Sequence, residues 1–159
     1  MQYSILCVGK VKERFYLQAI AEYTKRMSHY AKVDICEVAD EKTPDKASFV
    51  EEQEIKRKEA QRLLAKIKDS MYIIALDLKE KEYNSVSFSK HLGQCMLSGK
   101  SHIAFVIGGS LGLHDDVLAR ADERLCFSKF TFPHQLMRVI LLEQIYRANR
   151  ILNNEPYHK

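Results

Sequence analysis

The stretch of this chain best suited to chemistry is Gly108-Gly109-Ser110-Leu111-Gly112, which follows directly on the apolar run Ile103–Ile107. A strand that passes into a glycine turn brings bare backbone up to a small ligand. The same five residues match the G-x-S-x-G pattern of a nucleophile elbow, with Ser110 as nucleophile and Asp122 or Glu123 with His134 or His158 completing a triad. Those acids follow the serine too soon to end a later strand, and the chain is short for such a fold, so a serine hydrolase stands as a secondary reading. No Gly-Lys-Ser/Thr follows the glycines and no G-x-G-x-x-G occurs, which excludes a Walker loop and a dinucleotide fingerprint. A second segment, apolar but irregular, runs from Leu125 to His134 and reads as the opposite wall of the same pocket. Glycine backbone on one side and Phe127–Phe132 on the other, with Leu76 near the end of another strand, suit a nucleoside-bearing cofactor.

Arg138 is the polar residue that stands out, because it interrupts the otherwise apolar run Leu136–Leu142. A buried arginine needs a carboxylate, for which Glu143 of a partner helix is one candidate, or an anionic ligand. The six histidines, His29, His91, His102, His114, His134 and His158, are not read as ligands, and no metal is expected. The closing Tyr157-His158-Lys159 carries groups that donate, accept and bind phosphate. Lys10, Lys12 and Arg14 follow a strand end and are the better candidates for touching phosphate. Lys56-Arg57-Lys58, spaced four residues after Glu52 and Glu54, reads as a solvated helix face with Glu52–Lys56 and Glu54–Lys58 pairs.

The elements that must position these groups alternate along the chain. Hydrophobic periodicity predicts strands at Gln2–Val8, Lys32–Val38, Met71–Leu78, Ile103–Ile107 and near Leu125–Ser128. Helices are expected at Glu13–Met27, Ala47–Lys68, Val86–Leu97, around His114–Ala121, and from Pro133 to about Leu152. Such alternation implies one α/β domain over residues 1–159, with a mainly parallel sheet covered by helices on both faces. The final helix is apolar nearly all round, so burial within one subunit competes with a symmetric homodimer, and the homodimer is favoured.

Bulk properties narrow the class. The 159 residues, 46% hydrophobic and 29% charged, are ordinary for a soluble domain with its own core. Net charge of +4 permits an anionic partner such as RNA without requiring one. The four scattered cysteines, Cys7, Cys36, Cys95 and Cys126, fit reduced core residues of a cytoplasmic protein. No run approaches membrane-spanning length.

From Gly9-Lys10-Val11-Lys12 through Gly108–Leu113 and Phe127–Gln135 to Tyr157-His158-Lys159, the sequence resembles the bacterial 23S ribosomal RNA pseudouridine N3-methyltransferases of the SPOUT, or trefoil-knot, superfamily. The resemblance covers essentially the whole chain. It implies a homodimer with a C-terminal trefoil knot that binds S-adenosylmethionine in a bent form. Carried over by position, the cofactor contacts would be Leu76, Gly108, Phe127, Ser128, Lys129, Phe130, Thr131 and Phe132. The substrate implied is a pseudouridine in helix 69 of 23S rRNA, on the assembled ribosome. Arg138 would then stabilise an imide anion, and His134 or His158 would serve as base. Tyr157 would stack on the substrate ring and Lys129 would hold phosphate, with the tail of one subunit completing the pocket of the other as one arrangement a dimer allows. A non-catalytic ribosome-binding module is the remaining alternative.

Overall fold

A computed structural model describes all residues, Met1–Lys159. Five strands, β1 (Gln2–Val8), β2 (Lys32–Val38), β3 (Tyr72–Leu76), β4 (His102–Ile107) and β5 (Glu123–Leu125), form one sheet in the order β2-β1-β4-β3-β5. Every pairing is parallel. Five helices connect or follow them: α1 (Arg14–Met27), α2 (Phe49–Leu64), α3 (Ser85–Leu97), α4 (Asp115–Arg120) and α5 (His134–Leu152).

The period of two along a strand builds the two cores. Tyr3, Ile5 and Cys7 of β1 join Ile103, Phe105 and Ile107 of β4 on one face, where α1, α3 and α5 lie. Leu6 and Val8 join Ala104 and Val106 on the other, under α2 and α4. Both faces are covered, so the central strands are apolar without alternation of polar residues.

Local signals set the helix ends. Ser48 caps α2 in a reciprocal box with Glu51, and Asn84 caps α3 with Ser87 in the same way. Helix α2 stops at Leu64, short of the expected Lys68, because Lys66 and Ile67 donate to carbonyls three residues back and tighten the chain for its entry into β3. On its surface the expected Glu52–Lys56 and Glu54–Lys58 pairs give way to Glu54 with Arg57, whose Nε and Nη2 both reach the carboxylate, at 2.8 and 2.6 Å. The planar guanidinium fork suits that two-point contact better than a lysine ammonium does. Strand β5 also departs from expectation. It lies at Glu123–Leu125, and the chain then leaves the sheet, Cys126 making a single bridge to Glu82 and donating its N–H to the Lys81 carbonyl.

Helix α5 lies over the sheet between α1 and α3 and buries Met137, Arg138, Leu141, Leu142, Ile145, Ala148 and Asn149. Much of its apolar girth is therefore covered within one chain, and Leu136, Val139 and Ile140 stay partly exposed. All four cysteines are free thiols. No helix is long and apolar enough to cross a membrane.

Candidate active site

Parallel strands present their carboxyl ends together, and ligands of such sheets sit just beyond them. Here Leu76, Ile107 and Leu125, the last residues of β3, β4 and β5, form the floor of a cavity of about 500 Å³. Gly108, Gly109, Ser110 and Gly112 supply one wall. The opposite wall is Phe127, Ser128, Phe130, Thr131 and Phe132, and the chain then enters α5 through Pro133, His134 and Met137. A second cavity of about 340 Å³, reaching Tyr83, Ile140 and Gln144, shares Leu125, Phe127, Ser128 and Phe132 with the first, so one stretch of chain borders both.

The glycine turn is built by close approach. Gly112, at φ +82°, accepts a conformation that side chains disfavour, and its N–H donates to the Gly109 carbonyl at 3.0 Å. A Cβ on Gly108 would lie 2.6 Å from the Gly112 carbonyl carbon and 2.8 Å from its oxygen. The glycine at 108 is thus required first by the turn itself, and only through the turn by the cavity. The facing loop is held locally: the Ser128 hydroxyl accepts from the Phe130 N–H at 3.0 Å, and the Cys126 thiol donates to the Ser128 carbonyl at 3.2 Å. That leaves the Phe130 ring 78% exposed at the rim.

Of the eight cofactor positions carried over from the sequence, all but Lys129 line the larger cavity, and Lys129 is exposed on the same loop. The four catalytic candidates separate. His134 lines the cavity, half-buried at the first turn of α5. A Cβ on Gly9 would lie 3.8 Å from its Nε2 and 3.6 Å from Asp40 Cγ, so the ring and the carboxylate both border that glycine. Burial, then the neighbouring Arg138 cation, holds the His134 imidazole below its ordinary pKa, against the opposing pull of Asp40 and Glu13.

Arg138 does not reach the cavity. It is 1% exposed, and Nη1 donates to Glu37 Oε2 at 2.6 Å while Nη2 donates to the Val8 and Gly9 carbonyls at 3.0 and 2.8 Å. Glu37 Oε2 also accepts the Val11 N–H at 2.9 Å. The required carboxylate therefore comes from β2 of the same chain. Glu143 is engaged elsewhere, with Arg147 at 2.6 Å and the Tyr157 hydroxyl at 3.1 Å.

Tyr157 and His158 lie back along α5. The Tyr157 ring sits under the Arg147 guanidinium, 4.6 Å from ring centre to carbon, and His158 Nδ1 is 3.3 Å from Arg147 Nη1. At about 1.5 Å rise per residue, Glu143 is roughly 14 Å along the helix axis from His134 and Arg147 roughly 20 Å. Neither tail residue lines either cavity of its own chain. The triad imagined for Ser110 is likewise not assembled. Asp122 accepts the Ile73 N–H at 2.7 Å, and Glu123 is bonded to His91, Tyr72 and Tyr83.

A three-layer parallel α/β domain with a glycine-walled trough beyond its strand ends is a scaffold for binding a small ligand. The chain belongs to the family described as "Predicted SPOUT methyltransferase", whose model matches residues 1–158. Over all 159 residues of both partners it is 58% identical to Ribosomal RNA large subunit methyltransferase H 1 of Clostridium perfringens. It is 60% identical, over the same span, to Ribosomal RNA large subunit methyltransferase H of Clostridium botulinum strain Kyoto. Two solved structures share the fold. A probable methylase family protein from Haemophilus influenzae superposes with a TM-score of 0.55 at 13% identity, over 99% of this chain and 70% of that one. A putative methyltransferase from Legionella pneumophila, solved with bound SAM, gives 0.51 at 9% identity, over 93% and 66%.

Proposed function

We propose that this chain transfers a methyl group from S-adenosylmethionine to N3 of a pseudouridine in helix 69 of 23S rRNA, acting on the assembled ribosome as a cytoplasmic homodimer. The observation that carries this reading is the trough of bare glycine backbone and apolar loop at the strand ends, in a chain related over its full length to enzymes named for methylation of large-subunit rRNA. Its volume, about 500 Å³, falls in the range of cofactor pockets. Gly108–Ser110 would offer backbone groups to an adenine edge, with Leu76, Phe127 and Phe132 covering its faces.

When bound, S-adenosylmethionine supplies a methyl group on a sulfonium, already a strong electrophile, so the protein has chiefly to align and deprotonate. Pseudouridine N3 carries a weakly acidic proton between two carbonyls. His134, neutral near pH 7 and at the cavity edge, takes that proton. Arg138 acts through others: it fixes the Gly9 backbone and adds its charge to burial in holding the imidazole uncharged. Lys129 and Lys10, both exposed, hold phosphate.

Tyr157 and His158 serve the partner's trough, because antiparallel packing of two α5 helices would bring the tail of one chain to the His134 end of the other. The partly exposed Leu136, Val139 and Ile140 supply apolar surface for that packing. The knot is part of the same proposal. It is supported by the return of the chain from edge strand β5 to place Arg138 against Val8 and Gly9 near the middle of the sheet.

Calorimetry with S-adenosylmethionine tests the cofactor site. The native chain is expected to bind, and Gly108→Ala to bind at least ~10-fold more weakly, a loss of about 1.4 kcal/mol, with an unchanged far-ultraviolet dichroism spectrum. Equal affinity in the variant would remove the glycine turn from the site.

A further inference from the structure

On the face of the sheet under α3, next to Tyr83 of the smaller cavity, three side chains of different chemistry converge. His91 and Cys95 stand one turn apart on α3, and Glu123 opens β5. His91 Nε2 is 2.7 Å from Glu123 Oε2 and 3.7 Å from Cys95 Sγ, and the three donor atoms all lie within 4.8 Å of one another. Cys95 is 3% exposed and the other two are largely covered. The ring of Tyr83 stacks on His91 at 5.3 Å, and the hydroxyls of Tyr72 and Tyr83 donate to Glu123 at 3.2 and 3.4 Å. The methyl-transfer reading uses none of these groups.

We propose that His91, Cys95 and Glu123 form a binding site for one zinc-class divalent cation, with water or a tyrosine hydroxyl in the fourth position. Imidazole, thiolate and carboxylate are the ligand set that borderline-soft ions take, and a neutral imidazole with two anions balances a dication. Tetrahedral zinc, with bonds of about 2.0 to 2.3 Å, sets its ligand atoms roughly 3.3 to 3.7 Å apart. The sulfur–nitrogen pair already has that spacing. The nitrogen–oxygen pair opens by about half an ångström as the metal replaces the hydrogen bond between them.

Protons balance simply. Coordination through Nε2 leaves the His91 ring proton on Nδ1, and the Cys95 thiol gives its proton to solvent. Burial, with Glu123 nearby, holds the Cys95 thiol above its ordinary pKa, and Lys100 acts against that. The other titratable groups facing the cluster are Tyr72 and Tyr83, both protonated at neutral pH. Metal affinity therefore rises with pH through the neutral range. Occupation would fasten α3 to the edge strand from which the Cys126–Phe132 loop departs.

The test is a cobalt titration of the intact, chelator-stripped chain kept reduced by a phosphine. The expected result is a near-ultraviolet sulfur-to-cobalt band with visible bands of four-coordinate cobalt, complete at one equivalent and bleached by one equivalent of zinc. Cys95→Ala should remove the sulfur band, and Cys36→Ala should keep it. His91→Gln should weaken binding at least ~10-fold. Absence of a sulfur band in the native chain would overturn the site without recourse to any variant, and so would a band that survives Cys95→Ala.

Discussion

On the proposed reading, two residues at the start of α5 divide the work, His134 for chemistry and Arg138 for support. His134 is neutral by virtue of burial and of the Arg138 charge, so its acid limb in a rate–pH profile should lie below the ordinary histidine value of about 6.5. The sign follows from the direction of the shift: the imidazole gains its proton only at lower pH, and turnover falls there. His134→Gln should lower kcat by roughly 10²- to 10⁴-fold and abolish the limb. A variant that keeps the limb would assign the base elsewhere. The same shift makes the fold acid-sensitive. Below about pH 6.5 the unfolded chain takes up protons that the half-buried His134 and His102 resist, so stability falls as pH falls through that window. Arg138 should matter to stability first. Arg138→Met removes the guanidinium from Glu37, which keeps the Val11 N–H and is partly solvated, and from two buried carbonyls, and denaturant unfolding should show a loss of about 2 to 4 kcal/mol. A loss under 1 kcal/mol would contradict the ion pair described here.

At the scale of elements, much was legible in the sequence because its signals are local. Alternation of Tyr3, Ile5 and Cys7 against Leu6 and Val8 marks a central strand, and the element order follows from such runs. Seven of the eight expected cofactor positions meet in one cavity for the same reason, since Leu76 at the end of β3 and two short motifs after the flanking strands β4 and β5 carry them. What was not legible depends on distant partners. Arg138 finds Glu37, 101 positions earlier, and no periodicity in α5 points to β2. His91 and Cys95 are one helical turn apart and were readable as a pair, but Glu123 arrives from another element, so their meeting shows only in the fold. Gly108 is required by the backbone of Gly112 and not by ligand space alone, a contact between two residues of one turn that the glycine spacing does not disclose. The short β5 was placed too late, because Cys126 and Phe127 are apolar enough to extend a strand that the Lys81–Glu82 loop in fact ends.

For the whole molecule, the position of the tail makes the oligomeric state part of the catalytic account. Tyr157 and His158 are held against Glu143 and Arg147, well along the helix from their own trough. Mixed dimers provide the test: a Gly108→Val chain, unable to bind cofactor, is combined with a chain truncated after Asn154. If the chain forms the proposed homodimer and tails act across it, the mixture should regain turnover that neither parent has, through the truncated chain's trough and the other chain's tail. Mixtures no more active than their parents would place the tail's action within one chain. The central claim is tested most directly by incubating the protein and labelled S-adenosylmethionine with ribosomes that lack the modification, and with free 23S rRNA alongside. The account predicts label on the ribosomes, mapping to a pseudouridine of helix 69. No label on either substrate, from a folded protein that binds the cofactor, would contradict it.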